Sequence, residues 1–124
     1  MKETRVVVTG GRNYGVLPEE RELIHSVFYR IQKKYGRENL TLICGMASGA
    51  DTEAYCYCKL RWNWNCEEYR ADWKTYGRRA GVIRNQQMVD AKPDFCVAFP
   101  GGRGTADMVK RCYNAGITVW SFGS

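Results

Sequence analysis

The stretch FCVAFPGGRGT, residues 95–105, decides the fold of this chain. Its first five residues, Phe95–Phe99, form a short apolar run bounded by turn residues, which predicts a buried parallel strand. Pro100 ends the strand, and the glycines after it allow a tight turn in which the backbone can approach a ligand closely. We expect Ala106–Ala115 to form a helix whose unpaired N–H groups face the turn. The order strand, glycine turn, helix has two interpretations. It is either a binding site for a phosphate or carboxylate group, or a plain connecting loop.

Length and composition are typical of one soluble globular domain. We expect residues 1–124 to form that single domain, because the chain is too short for two ordinary ones. No segment approaches the roughly 20 apolar residues that span a membrane. The apolar run near the N-terminus is far too short for a signal peptide. The sequence therefore predicts a cytoplasmic protein without a membrane partner.

The net charge of +6 predicts attraction to anions, although a solvated basic surface is the alternative. The basic residues are spread along the chain and form no dense patch with interleaved readout residues, which makes a nucleic-acid partner the weakest of the interpretations.

The six cysteines form no CxxC pair, and the one histidine, His25, is far from them in sequence. We therefore predict free thiols, no metal site and no resident cofactor.

Apolar and β-branched runs predict four further strands, at Arg5–Thr9, Leu40–Cys44, about Cys66–Arg70 and Thr118–Phe122. Amphipathic or capped segments predict helices at Pro18–Lys34, Asp51–Leu60 and Val82–Asp90. The polar, basic and aromatic segment Asp72–Gly81 is expected to be a loop over the site. The aromatic stretch Tyr55–Tyr69 must contribute partly to the core, and the rest is either a dimer surface or a stacking surface.

Strands that alternate with helices five times predict an α/β fold. We expect a single Rossmann-like parallel sheet of about five strands with helices on both faces. Right-handed crossovers would place the carboxyl ends of all strands on one rim. The sequence leaves the strand order open. If the order is 3-2-1-4-5, the turns Gly10–Tyr14 and Gly101–Thr105 face each other at the switch point, where such folds bind ligands.

Three glycine-containing turns, after strands one, two and four, supply most of the candidate ligand-binding residues. These are Gly10, Gly11, Arg12, Asn13, Ser48, Gly49, Asp51, Gly101, Gly102, Arg103, Gly104 and Thr105. Arg79 and Arg84 are basic side chains that could bind a phosphate through two hydrogen bonds. Ser48 either caps the next helix or contacts the ligand, and Asp51 either caps that helix or binds ribose hydroxyls. The turns match neither GxGxxG nor a P-loop, yet their convergence predicts a phosphate-bearing ligand.

Two segments of the chain, one in a predicted helix and one in a glycine turn, resemble motifs of the lonely guy phosphoribohydrolases. Those enzymes release cytokinin bases from nucleoside monophosphates. Residues 84–88 (RNQQM) and 100–105 (PGGRGT) resemble the RKxxM and PGGxGTxxE motifs of that family. Residues 45–51 (GMASGAD) are similar to the SG-x-GID element of the DNA-processing protein DprA. Both families belong to the SLOG superfamily of Rossmann-like nucleotide binders. The chain, from about Val6 to Val119, is therefore identified as a member, and it most resembles the small YpsA/YspA-related SLOG proteins.

The chain departs from the lonely guy pattern where that family has its glutamate, because Met108 occupies the position. Asp107, one residue earlier, would point about 100° away on a helix. N-glycosidic cleavage passes through a cationic sugar that a carboxylate stabilises. If the resemblance extends to activity, Arg84 and Asp107 are the candidate catalytic residues, with Asp51 and Asp72 as alternative carboxylates.

These observations lead to two expected functions. The first is the binding, for sensing or sequestration, of a phosphorylated nucleoside or of an ADP-ribose-like or cyclic nucleotide signal. In that case Tyr14 or Trp73 would stack on the base. The alternative is a phosphoribohydrolase that cleaves the N-glycosidic bond of a nucleoside 5′-monophosphate. The resemblance also implies a homodimer, and DNA binding by analogy with DprA is a third, weaker expectation.

Overall fold

The chain folds into one five-stranded parallel sheet, which confirms the predicted α/β, Rossmann-like fold class. The structure is a computed structural model that describes residues 2–123. The strands are β1 (Thr4–Thr9), β2 (Leu40–Cys44), β3 (Asn65–Glu68), β4 (Phe95–Ala98) and β5 (Thr118–Ser121). Their order is β3-β2-β1-β4-β5, the arrangement that places the glycine turns face to face.

The helices are α1 (Pro18–Tyr35), α2 (Ala50–Tyr55), α3 (Trp73–Tyr76), α4 (Ala80–Asp90) and α5 (Arg103–Asn114). Helix α2 continues as a π-helical segment over Cys56–Arg61, where sequence reasoning predicted one regular helix to Leu60. Residues 2–123 contain no helix that combines the length and apolar character needed to cross a bilayer.

The segment Asp72–Gly81, predicted to be a loop, contains helical structure instead. Asp72 caps α3, because its carboxylate Oδ1 accepts a hydrogen bond from the Thr75 backbone N–H at 3.1 Å. A short 3₁₀ turn over Gly77–Arg79 then leads into α4, which begins at Ala80 rather than Val82. The third strand is Asn65–Glu68, slightly earlier than predicted.

The alternation of side chains along β1 explains why helices cover both faces of the sheet. Val6 and Val8 are fully buried against the layer that contains α1 and α2. Val7, between them, is fully buried against the layer that contains α4 and α5. Each fully buried valine contributes about 1.5–3 kcal/mol relative to an exposed one. A central strand that is apolar on both sides therefore requires a helical layer on each.

The turns after β1, β2 and β4 contact one another through their backbones. The Gly11 N–H donates to the Pro100 carbonyl at 2.8 Å, and the Gly11 carbonyl accepts from the Ala50 N–H at 3.1 Å. Gly49 adopts φ +80° and ψ −126°, and a Cβ atom there would collide with the carbonyl oxygens of Gly11 and Arg12. Only glycine satisfies both constraints at this position.

We predict that Gly49→Ala lowers the free energy of unfolding by more than Gly77→Ala, as measured by urea denaturation. Gly77 is the matched control because it has similar angles, φ 56° and ψ −132°, but a Cβ atom there would meet nothing within 4 Å. Backbone strain costs on the order of 1–3 kcal/mol at either site. The additional loss of unfolding free energy in Gly49→Ala measures how much the close approach of the turns contributes. Equal losses in the two variants would show that this contact does not constrain the rim.

Candidate functional site

A cavity of about 290 Å³, the first lobe, lies between the turns after β1 and β4. The end of β1, the start of α2, the middle of α4 and the N-terminus of α5 form its walls. The sequence-predicted residues that line it are Gly10, Gly11, Arg12, Asp51, Arg84, Gly102, Arg103, Gly104 and Thr105. The structure also brings Thr9, Asn85 and Met88 to this wall, which sequence reasoning did not single out as ligand contacts.

The N-terminus of α5 opens into the first lobe without a side-chain cap. Gly102 is the N-cap residue, and the helical hydrogen bonding begins with the Ala106 N–H to the Gly102 carbonyl at 3.0 Å. The N–H groups of the preceding first-turn residues have no intrahelical acceptor. A Cβ atom at Gly102 or Gly104 would meet nothing within 4 Å, so the approach to these N–H groups is open. The positive end of the helix dipole favours an anion here.

Arg84 places a buried positive charge in the same lobe. Its residue is 9% exposed, and its Nη1 donates to the Gly45 carbonyl at 2.6 Å. Its Nε donates to Asn85 Oδ1 at 3.2 Å, whereas no described residue accepts from Nη2. Burial lowers the pKa of Arg84, and the nearby Asp51 partly offsets that effect. No described carboxylate lies within 4.0 Å of the guanidinium, so the charge lacks a protein counterion.

Asp51 is the one carboxylate among the described residues that line the first lobe. It is 6% exposed, and its Oδ2 accepts a hydrogen bond from the Ala47 N–H at 3.2 Å. Burial raises its pKa from 3.8 to about 6, although the Ala47 N–H, Arg84 and Arg12 oppose the rise. The side chain therefore titrates closer to neutrality than an ordinary aspartate.

A second cavity of about 260 Å³, the second lobe, adjoins the first. Arg12, Ala47 and Arg84 line both lobes. The remaining wall of the second lobe consists of Gly45, Met46, Ser48, Arg70, Ala71 and Trp73. The Arg12 guanidinium carbon lies 5.3 Å from the centre of the Trp73 ring, which is cation–π distance. Ser48, predicted to cap α2 or contact a ligand, thus lines the second lobe and makes no cap hydrogen bond to α2.

Asp107, the carboxylate predicted for catalysis, lines neither lobe. Its Oδ2 accepts from Arg111 Nε at 2.8 Å and from Asn85 Nδ2 at 3.0 Å. Burial by itself raises the pKa of Asp107, but these hydrogen bonds outweigh it and hold the pKa below the ordinary value. Met108, at the position of the family glutamate, is fully buried in the core. In this structure Asp107 therefore forms an ion pair with Arg111, and Met108 packs in the core.

Several other predicted residues lie outside both lobes. Asn13 and Arg79 are exposed on the surface. Gly49 and Gly101 pack the turns together, and a Cβ atom at Gly101 would collide with Thr105 Oγ1. The Tyr14 ring stacks on Phe99 with 5.7 Å between ring centres, so the stacking surface that borders a lobe is Trp73. Within residues 2–123, no three Cys, His, Asp or Glu side chains are grouped as metal ligands would be.

Comparison with known proteins links the chain to one family. Residues 4–76 match the model of the YspA, cpYpsA-related SLOG family. The chain is also 35% identical, over 130 aligned positions, to the Gene 61 protein of Mycobacterium phage D29. That alignment covers 96% of each chain. The family match includes Arg12, Asp51 and Arg70, whereas Arg84 and the turn before α5 lie beyond it.

We predict that Asp51→Asn changes the pH dependence of stability. Because the folded-state pKa is raised, the contribution of Asp51 to the free energy of unfolding falls as the pH rises from about 4 to about 6. The variant lacks this loss, so its free energy of unfolding relative to the wild type should rise over that range, by up to about 3 kcal/mol. Urea denaturation at pH 4 to 7 measures this difference. The control Glu22→Gln, at an exposed carboxylate, should follow the wild type, and parallel profiles for Asp51→Asn would refute the prediction.

Proposed function

This chain belongs to the YspA, cpYpsA-related SLOG family, and from that membership and the geometry of the pocket we propose that it binds a phosphorylated nucleoside. The first lobe takes the phosphate and the ribose. Family membership supports a nucleotide-related function in general terms. The contacts available in the lobe support the more specific assignment.

The observation that carries the proposal is the buried Arg84 charge beside the uncapped N-terminus of α5. A buried ion without a counterion is costly, and the cost falls when an anion enters the same lobe. Arg84 Nη2 and the first N–H groups of α5 all have unused hydrogen-bonding capacity there. Arg103, the first residue of α5, adds a further guanidinium. A phosphoryl group, with several strong acceptor oxygens, fits this set of donors.

Asp51 distinguishes a sugar phosphate from an inorganic anion. A bare phosphate gains no hydrogen bond from this carboxylate, whereas ribose hydroxyls donate hydrogen bonds to it. Its Oδ2 is held by the Ala47 N–H, which fixes the orientation of the carboxylate. The ribose therefore lies against α2 while the phosphate lies against α5.

Retention of nucleotides by purified protein tests the proposal, read by mass spectrometry of free and bound species. The panel contains nucleoside monophosphates, NAD, ADP-ribose and cyclic nucleotides. We expect Arg103→Gln to weaken retention of the bound species by about 3- to 10-fold, because it removes one partly solvated, charge-assisted contact. Arg79→Gln removes the same charge outside the lobes and should retain wild-type affinity. Equal weakening by both variants would indicate non-specific attraction to a basic surface.

Hydrolysis of the bound nucleotide at its N-glycosidic bond is a second candidate function. The supporting observation is that the Asp51 carboxylate, with its pKa raised to about 6, lies in the same lobe as the anion site. Such a group can stabilise a cationic sugar or activate water. Asp107 is less suited, since Arg111 and Asn85 already occupy its Oδ2.

If the protein releases free base from a nucleoside 5′-monophosphate, Asp51→Asn should lower the rate at least about 100-fold, the usual scale of acid–base catalysis. Asp107→Asn should retain most of the turnover, provided that thermal denaturation shows it is folded. Chromatography of the released base gives the rate. The opposite order of the two variants would restore Asp107 as the catalytic carboxylate, and absence of base release would leave the binding function alone.

The expected homodimer remains a prediction from the family resemblance, and the cytoplasmic location remains one from composition. The observed positive charge is compatible with a small anionic ligand. We therefore retain a nucleotide-type small molecule as the proposed partner and keep nucleic acid as the weaker expectation.

A further inference from the structure

We propose that the second lobe binds a second phosphoryl group, so that the ligand of this protein carries a diphosphate. The inference rests on the proposed function of the first lobe, where the first phosphoryl group and the ribose bind. The second lobe shares Arg12, Ala47 and Arg84 with the first, so the two cavities are adjacent.

The sizes of the two lobes are compatible with one ligand that enters both. Small-molecule sites usually measure about 300–1,000 Å³. The first lobe, about 290 Å³, and the second, about 260 Å³, each fall just below that range. Taken together, the volumes of the two lobes lie within that range. A ligand confined to the first lobe would make no contact with Arg70 or Trp73, which line only the second.

The charges that line the second lobe select an anion. Three guanidinium groups border it, those of Arg12, Arg70 and Arg84, and none of its described lining residues is acidic. Arg12 makes no ion pair with any residue in the described part of the chain. Arg70 pairs with Glu68 at 3.2 Å, but these side chains are 68% and 39% exposed, so the pair is weak and leaves other donors free.

Arg84 determines the spacing of the two anions. Its guanidinium lies in the wall that the lobes share, with Nη2 unpaired among the described residues. One planar guanidinium can contact two phosphoryl groups at once only if they are neighbours. This favours a diphosphate linkage over two phosphates at opposite ends of a nucleotide.

A nucleobase is the competing occupant, since Trp73 borders the second lobe. The Arg12 guanidinium already lies over that ring, 5.3 Å from its centre. A neutral base in this position would leave Arg12 and Arg84 without an anionic partner among the described residues. A phosphoryl group provides acceptors for Arg12 and Arg70 and leaves the Arg12–Trp73 contact in place.

Inorganic phosphate and pyrophosphate are the probes, because neither contains a base or a sugar. Isothermal titration calorimetry measures the affinity of both for the wild type, Arg70→Gln and Arg78→Gln. Arg78 is the matched control: it is exposed, lies outside both lobes and carries the same charge. Arg70 is exposed, so its replacement should leave the fold intact, which thermal denaturation verifies.

We expect pyrophosphate to bind the wild type at least about tenfold more tightly than phosphate. Arg70→Gln should remove most of that advantage while leaving phosphate affinity within about twofold, and Arg78→Gln should change neither. If Arg70→Gln leaves the pyrophosphate advantage intact, or if Arg78→Gln reduces it equally, the second lobe binds no phosphoryl group and the inference is overturned. Failure of the wild type to bind either anion would overturn the phosphate site of the first lobe as well. This outcome differs from loss of the pyrophosphate inference alone, in which phosphate still binds.

Discussion

The rim of the sheet, where the carboxyl ends of the strands lie, depends on the backbone hydrogen bonds of one residue, Gly11. Its N–H is bound to the Pro100 carbonyl, and its carbonyl is bound to the Ala50 N–H. These two bonds connect the turns after β1, β2 and β4, which are distant in sequence. The turns meet so closely that Gly49 and Gly101 have no room for a Cβ atom. The positions of α2 and α5, and hence of Asp51 and the α5 N-terminus, follow from this backbone junction.

The charges within the rim are arranged at a cost to stability. Arg84 and Asp51 are both at least nine-tenths buried, yet they form no ion pair with each other within 4.0 Å. Each is held instead by backbone, Arg84 by the Gly45 carbonyl and Asp51 by the Ala47 N–H. Direct pairing would lower the energy of the empty protein and remove both groups from a ligand. Desolvated charges kept apart in a cavity are typical of binding and catalytic sites.

The sequence predicted the sheet well because its determinants are local. The doubly apolar runs in β1 and β4 require burial on both faces, and the glycine turns follow them directly. The motifs at residues 45–51, 84–88 and 100–105 indicated the SLOG superfamily, which the match over residues 4–76 confirms. The helical structure after Asp72 was missed because one side-chain cap, to the Thr75 N–H, converted a polar segment into a helix start.

The site was harder to predict because it depends on pairing across elements. Asp107 and Asp51 are both aspartates near a helix start, and spacing alone does not rank them. The structure separates them through their partners: Arg111, one turn along α5, engages Asp107, whereas Asp51 has no cationic partner within hydrogen-bonding distance among the described residues. An anion beside Arg84 would weaken the influence that now lowers the pKa of Asp51, and would therefore raise that pKa further. Once it takes up a proton, the Asp51 side chain is no longer a general base, but it can still donate one hydrogen bond to a ribose hydroxyl and accept another. The same geometry therefore favours retention of the nucleotide over its cleavage.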